Sequence, residues 1–288
     1  LYRNRLLGRD ILMILREVEG KTEFYASKSL IETVKLPLPM IDLPRFGDMV
    51  FSLINVKSIQ KQYAWIHAAL VDSPYGGLAI SAYPNTGKTT TAVLLGMKNG
   101  FIALDDDMPF INSIGEGYGL SFSNIPIWIT AEQRLLSKAK VRLIKFRSIV
   151  SAALRYLWYV PYAPNLLLDM SERIANVPLK NQLRTKISSG KTVVDYLFIL
   201  ERGNKEVVPL DCEEAGRKLL MICKREHYAL DNNYLLLSYS YFSNEFRFSE
   251  ILRKRDEIIL NFAKRVKSYV IRAKSPLDYA DLILNTIK

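Results

Sequence analysis

The chain has 288 residues, 49% of them hydrophobic and 11% aromatic, with a mean hydropathy of +0.03, a composition that excludes a disordered or low-complexity protein. Its charge is +11, yet no RNA- or DNA-binding motif accompanies it, so the excess reads first as a solvated surface and second as attraction for an acidic partner. The two cysteines, Cys212 and Cys223, lie eleven positions apart, which argues against a zinc site and suits buried thiols in a reducing compartment.

In chain order, "RDILMILREVEG" reads as a helical start and "KLPLPMIDLPRFG" as an extended connector. Together they make residues 1–48 an N-terminal segment leading into a domain over 49–288. "MVFSLINV" and "YAWIHAALVDS" read as short β-rich runs, and "YGG" sets off the strand "LAISAY". Residues 88–98 form a helix candidate closed by Asn99-Gly100. "FIALD" is a buried strand, and "MPFINSIGEGYGLSFSN" a hairpin around Gly-Glu-Gly.

Thr130 with Gln133 marks the next helix start, and about 130–190 reads as mostly helical with breaks at Pro161 and Pro164. Residues 148–170 are the most apolar stretch, but Arg155 and the two prolines argue against a membrane span. "TVVDYLFILERGNKEVVPLD" reads as a β-hairpin and Asp211 with Glu214 as a helix start. Residues 253–274 read as one amphipathic helix, with Ile258, Ile259, Phe262, Val266 and Val270 at helical spacing and a basic outer face. A second basic run covers 138–147. Ser275-Pro276 begins a final short helix. No charged-then-apolar leader stands at Leu1, and a cytoplasmic protein is the expectation.

The chemistry concentrates at Ala82-Tyr83-Pro84-Asn85-Thr86-Gly87-Lys88-Thr89. This is the phosphate-loop pattern G-x-x-x-x-G-K-[ST] with its first glycine replaced. Such a loop aims successive backbone N–H groups at phosphate oxygens, and the following helix N-terminus adds positive potential. Gly87 allows close backbone approach, Lys88 supplies a charge for the β- and γ-phosphates, and the Thr89 hydroxyl suits Mg²⁺. Asn85 stands where many such loops carry glycine, and Asn tolerates φ > 0. Residues 83–90 (Tyr83, Pro84, Asn85, Thr86, Gly87, Lys88, Thr89 and Thr90) are therefore the candidate nucleotide cradle.

Asp105, Asp106 and Asp107 follow at the end of the next strand. Carboxylates there can hold Mg²⁺ or accept a proton from an attacking hydroxyl; a turn cluster is the other reading. His67, in the apolar run "YAWIHAALV", reads on its own as a core residue, and His227 as packing or surface.

The order of His, strand, turn, strand, loop, helix, Gly and strand ending in Asp-Asp resembles the C-terminal kinase domain of the HPr kinase/phosphorylase family, which shares its P-loop fold with phosphoenolpyruvate carboxykinase. His67 precedes Ala82 by fifteen positions, and Asp106 and Asp107 follow Gly100 by six and seven, as in that family. The resemblance covers residues 64–110. It implies an α/β protein with a P-loop-type mixed sheet of the HPr kinase/carboxykinase kind, a mostly helical insertion and C-terminal helices. It also implies an ATP- and Mg²⁺-dependent phosphotransferase acting on a hydroxyl of a protein or small molecule. Lys88 would contact the phosphates and Thr89 the Mg²⁺; Asp106 and Asp107 would divide metal binding and general-base duty; His67 would stand beside the transferred phosphoryl group. The signature "EIRGLG" that follows the acids in HPr kinases is absent, and "GEGYGLSFSNIP" occupies that region, which argues against HPr as the substrate. The alternative is a nucleotide-binding regulatory module whose basic C-terminal face engages an acidic partner. The sequence leaves a homo-oligomer open.

Overall fold

A computed structural model describes residues 2–6, 9–18, 21–28, 46–120, 125–126, 150, 153, 176–177, 190–226, 228–231, 233, 236–237, 240–241 and 247–288. The chain divides into two units, residues 1–50 with 142–175 and residues 51–141 with 176–288.

In the first unit, β1 (Tyr2–Leu6), β2 (Arg9–Val18) and β3 (Lys21–Ala26) form an antiparallel sheet with β2 central. The expected helix over "RDILMILREVEG" is therefore a strand. Its apolar run from Ile11 to Leu15 is continuous, and periodicity does not separate a strand from a helix there. Strand partners on both sides, Leu6↔Arg9 onward and Val18↔Lys21 onward, decide it.

The second unit is an α/β structure around a mixed, mostly antiparallel sheet. Its elements are α1 (Phe46–Gln60, of which 51–60 belong here), β4 (Tyr63–Trp65), β5 (Ala68–Asp72), β6 (Gly77–Ala82), α2 (Lys88–Gly96), β7 (Ile102–Asp105), β8 (Phe110–Asn112) and β9 (Glu116–Gly119). After a separate pair, β10 (Ile125–Pro126) with β11 (Asn176–Val177), come β12 (Gly190–Arg202), β13 (Glu206–Leu210), α3 (Cys212–Glu226), α4 (Tyr228–Asp231), α5 (Phe248–Ala263), β14 (Lys267–Ala273) and α6 (Pro276–Ile287).

Strand β12 organises the sheet. Its first residues pair antiparallel with β9, Gly190↔Gly119 to Val193↔Glu116. From Val194 it runs parallel to β6, with a register shift between Val194 and Tyr196, and from Tyr196 it also runs parallel to β14 on the other side. Hairpin partner β5 lies beyond β6, and β7 beyond β5. The parallel trio β6, β12 and β14 thus ends together at Ala82, Arg202 and Ala273. The crevice beyond such carboxyl ends is the usual ligand site of α/β sheets.

Both faces of the sheet are covered, and the side chains alternate accordingly. Leu78, Ile80, Ala82, Phe198 and Leu200 pack with Ala92, Leu95, Tyr279 and Ile283 of α2 and α6. Ala79, Leu197 and Ile199 pack with Leu219, Ile222, Ile259 and Phe262 of α3 and α5. Each fully buried side chain of this size contributes about 1.5–3 kcal/mol. Within the second layer Arg255 of α5 is only 2% exposed. Its guanidinium donates to Asp256 at 3.0 and 2.8 Å and to Asp231 of α4.

Five further expectations change. "MVFSLINV" lies in helix α1, where Ser52, Asn55, Val56 and Ile59 are buried at helical spacing. The expected hairpin over 192–211 is opened by β14, which pairs with both β12 and β13. The apolar run Leu197–Leu200 is buried and needs strands on both edges, which β13 alone cannot supply. The single helix over 253–274 stops at Ala263; Ile258, Ile259 and Phe262 are buried on α5, whereas Val270 lies in β14. The helix candidate over 88–98 ends at Gly96, and Gly100, at φ +83°, serves the turn that follows. Of the two free cysteines, Cys223 is buried as expected but Cys212 is exposed.

Other expectations hold. β8 and β9 form the expected hairpin, but it turns over Ser113–Gly115 (Gly115 at φ +91°), so that Glu116 and Gly117 of the expected turn already lie in β9. Asp211 accepts from Glu214 N–H at 2.8 Å at the start of α3, and Ser275 caps α6 with Pro276 in its first turn. The capping box at Thr130, the proline breaks, the basic run 138–147, residues 35–45 of the connector and His227 lie outside the described residues, as does most of the apolar stretch 148–170 and of the region 130–190; Phe46 and Gly47 at the connector's end already lie in α1, and Asn176–Val177, expected in a mostly helical region, is strand β11. Among the described residues no helix is long and apolar enough to cross a membrane.

Candidate nucleotide and phosphoryl-transfer site

The loop leaves β6 at Ala82 and enters α2 at Lys88, as the sequence predicts. Two residues take positive φ: Asn85 at 62° and Gly87 at 116°. Asn85 thus fills the glycine-like position as expected, at the modest cost an Asn bears there. Gly87 has a further reason to lack a side chain, because a Cβ would come 2.9 Å from Pro276 Cγ at the start of α6. The Thr86 N–H donates to Tyr83 O at 3.3 Å, and Thr91 fastens the first turn of α2 by donating from N–H and hydroxyl to Gly87 O.

Helix α2 carries no side-chain cap and no acid in its first turn. The N–H groups of Lys88, Thr89 and Thr90 have no carbonyl four residues earlier within the helix. A bare, positive helix end of this kind suits an anion.

Lys88 is 7% exposed, and its Nζ donates to Asp107 Oδ1 at 2.8 Å. His67 Nδ1 lies 3.2 Å from the same oxygen and 3.4 Å from Lys88 Nζ. Depending on the tautomer, the imidazole either donates to Asp107 or accepts from Lys88. Three residues from a loop helix, a strand kink and a strand end therefore meet at one carboxylate oxygen.

His67 occupies the kink between β4 and β5, where the "YAWIHAALV" run breaks into two strands. Its N–H donates to Cys223 Sγ at 3.3 Å, and its carbonyl accepts from Ser81 Oγ at 2.7 Å. The next N–H, of Ala68, donates to Asp107 O at 3.2 Å. The kink thus ties the imidazole to α3, to the loop strand and to the acidic turn.

The three acids take different environments. Asp105 is buried and closes the turn, accepting from the N–H groups of Asp107, Met108 and Leu120 at 2.9–3.0 Å. Burial pushes its carboxyl up, against those bonds. Asp106 is pushed up to about 7, first by burial and then by the carboxylates of Asp107 and Asp105. Burial acts on Asp107 in the same direction, but hydrogen bonds and charge from His67 and Lys88 outweigh it and hold this carboxyl well below the usual range. The turn reading therefore applies to Asp105, and Asp106 and Asp107 are left to other work.

Among the described residues no three His, Cys, Asp or Glu side chains gather as a metal shell. Mg²⁺ in nucleotide sites needs less, taking one or two carboxylates together with phosphate oxygens and water. Asp107, held ionised, and the partly exposed Thr89 are the candidate donors, with Asp106, raised by burial and by its two neighbouring carboxylates, beside them.

Of the remaining loop residues, Tyr83, Pro84 and Asn85 are exposed, Thr86 is half-buried, and Thr90 is buried in α2. Sequence reasoning missed Arg202, whose Nη2 donates to Asn85 O at 2.7 Å. It also missed Arg225, whose guanidinium lies 5.4 Å over the Tyr83 ring, and Pro276. Only the parallel pairing of β12 with β6 brings Arg202 to the loop, and no local pattern announces that. Compared with known proteins, the chain matches no family model, and no curated protein matches it.

Proposed function

We propose that this protein is an ATP- and Mg²⁺-dependent phosphotransferase of the HPr kinase kind, with the corresponding P-loop fold. In this reading it works in the cytoplasm and moves a phosphoryl group to a hydroxyl of a protein or small molecule. The observation that carries the reading is the meeting of Lys88 with His67 and Asp107 beside the open N-terminus of α2. A binding loop alone requires Lys88; it does not require a buried His and an acid from other strands at the same point.

The roles follow from environment. Lys88 and the α2 N-terminus hold the polyphosphate. The acceptor oxygen attacks the γ-phosphorus, its bond to the β-phosphate oxygen breaks, and ADP leaves. Asp106, poised near neutrality, takes the acceptor proton. Asp107, held ionised, is suited to the metal and to orienting Lys88 and His67. Mg²⁺, when bound, would neutralise charge on the phosphates.

The test is incubation with γ-labelled ATP and Mg²⁺ and a panel of serine-bearing proteins, peptides and polyols. Transfer by the wild type and none by Lys88→Met is the expected result. Firm ATP binding with no transfer to any acceptor overturns the kinase reading and leaves the regulatory module, whose partner binding would then depend on Lys88.

A further inference from the structure

We propose that Arg202 is a phosphate-binding residue of the nucleotide site, supplying a second fixed cation that the loop motif itself does not encode. The inference rests on the nucleotide reading above. Its starting point is placement. Leu200 of β12 pairs in parallel with Ala82 of β6, so Arg202, two residues further on, leaves the sheet beside the loop that leaves it after Ala82. One guanidinium nitrogen, Nη2, donates to the carbonyl of Asn85 at 2.7 Å.

The charges around it single Arg202 out. Lys205, on the same turn, pairs with Asp278 at 2.7 Å. Arg272 pairs with Glu201 and Glu206, and Lys218 with Glu201. Arg202 is exposed, and among the described residues no acid lies within ion-pair distance of it. An exposed arginine on one neutral carbonyl keeps most of its five donors for another acceptor, and its planar fork matches phosphate.

The loop also lacks something that Arg202 can supply. Pro84 removes one backbone N–H from the cradle, and Lys88 is already matched by Asp107. A nucleoside triphosphate arriving there meets one cation largely neutralised by a carboxylate. Arg202 adds an uncommitted charge while bracing the carbonyl of the residue held at positive φ. A charge-assisted bond of this kind is worth roughly a 10- to 100-fold change in affinity.

The experiment measures binding of a fluorescent ATP analogue with Mg²⁺ over a range of salt, for wild type, Arg202→Met, Arg202→Lys and Lys205→Met, with melting temperature as the check on folding. Arg202→Met is expected to bind roughly 10- to 100-fold more weakly, with a shallower salt dependence because one screened contact is gone. Arg202→Lys should recover part of the affinity, and Lys205→Met should match the wild type. Binding by Arg202→Met within twofold of wild type overturns the assignment and leaves the nucleotide reading standing. So does a loss with unchanged salt dependence, which makes Arg202 a brace only. Should Arg202→Met fail to fold, Arg202→Lys decides: full affinity removes the need for the fork and overturns the proposal, and a partial loss upholds it. Absence of binding by the wild type overturns the nucleotide reading and this inference together.

Discussion

Arg255 and Lys88 are both cations taken inside the fold, at 2% and 7% exposure, yet their surroundings differ. Arg255 is closed: Asp231 and Asp256 accept from three of its nitrogens, and Lys224 pairs with Asp256 at 2.7 Å. Lys88 is open. It shares one oxygen of Asp107 with His67, the Asp107 side chain is 56% exposed, and Asp106 beside it is pushed up by burial and like charge. A closed cluster holds the shape of the helical layer. An open one keeps electrostatic capacity for something that is to arrive.

The sharpest break between the two is activity against stability. Lys88→Met should abolish phosphoryl transfer, by a thousandfold or more on the scale of lost charge clamps (about 4 kcal/mol), while moving the melting temperature little. Arg255→Met should do the reverse. Leaving Asp231 without its cation, and Asp256 with Lys224 alone, costs about 3 kcal/mol, read as a lower midpoint in urea. If Lys88→Met proves as destabilising as Arg255→Met, the open cluster is structural and the comparison collapses.

A finer test uses pH. The Asp106 carboxyl sits at about 7 in the folded protein against 3.8 in the unfolded chain. The folded state therefore holds the proton more tightly. Stability from this group is complete below pH 4 and is lost as pH rises through 7. Asp106→Asn should be more stable than wild type by up to about 4 kcal/mol at pH 8, with the difference vanishing near pH 4, and should transfer phosphate poorly. A pH-independent difference in melting temperature would remove Asp106 from the strained set.

The smallest effect concerns the thiols. Burial pushes the Cys223 thiol up to about 12, against the His67 N–H bond that opposes it, so below that pH it stays protonated and unreactive. Cys212 is exposed. A thiol reagent at pH 8 should label one cysteine quickly and the second only with unfolding. Rapid labelling of both would mean that the support behind His67 opens readily.

Much of the candidate site was legible because its chemistry is local. Strand, loop, helix and acids follow one another within residues 77–107, and each step leaves a mark: Asn85 at positive φ, Gly87 at the helix entrance, Asp105 closing its turn. Only the bend that brings His67 alongside depends on distant groups, Cys223 and Ser81. Arg202 was illegible for the opposite reason, since 117 residues separate it from Asn85. In the fold, the errors fell where short apolar runs carry no distinguishing period, as in "RDILMILREV". "MVFSLINV" is different: Ser52, Asn55, Val56 and Ile59 repeat at helical spacing, while its Val, Ile and Phe carry strand propensity. Over 192–211, β12 and β13 are adjacent in sequence but not in the sheet, because β14 lies between them.

The placement of β14 between β12 and β13 also sets a timetable. During synthesis the chain delivers β12 and β13 well before β14, which follows Arg202 only after α3, α4 and α5 have been made. Until Lys267–Ala273 emerges from the ribosome, the apolar strand that supports the phosphate loop has an uncovered edge, a surface prone to pairing with other chains. Native contacts over such sequence distances form slowly. A chain shortened before residue 267 should therefore be recovered as aggregate, and the nascent protein should depend on chaperones until that strand is in place.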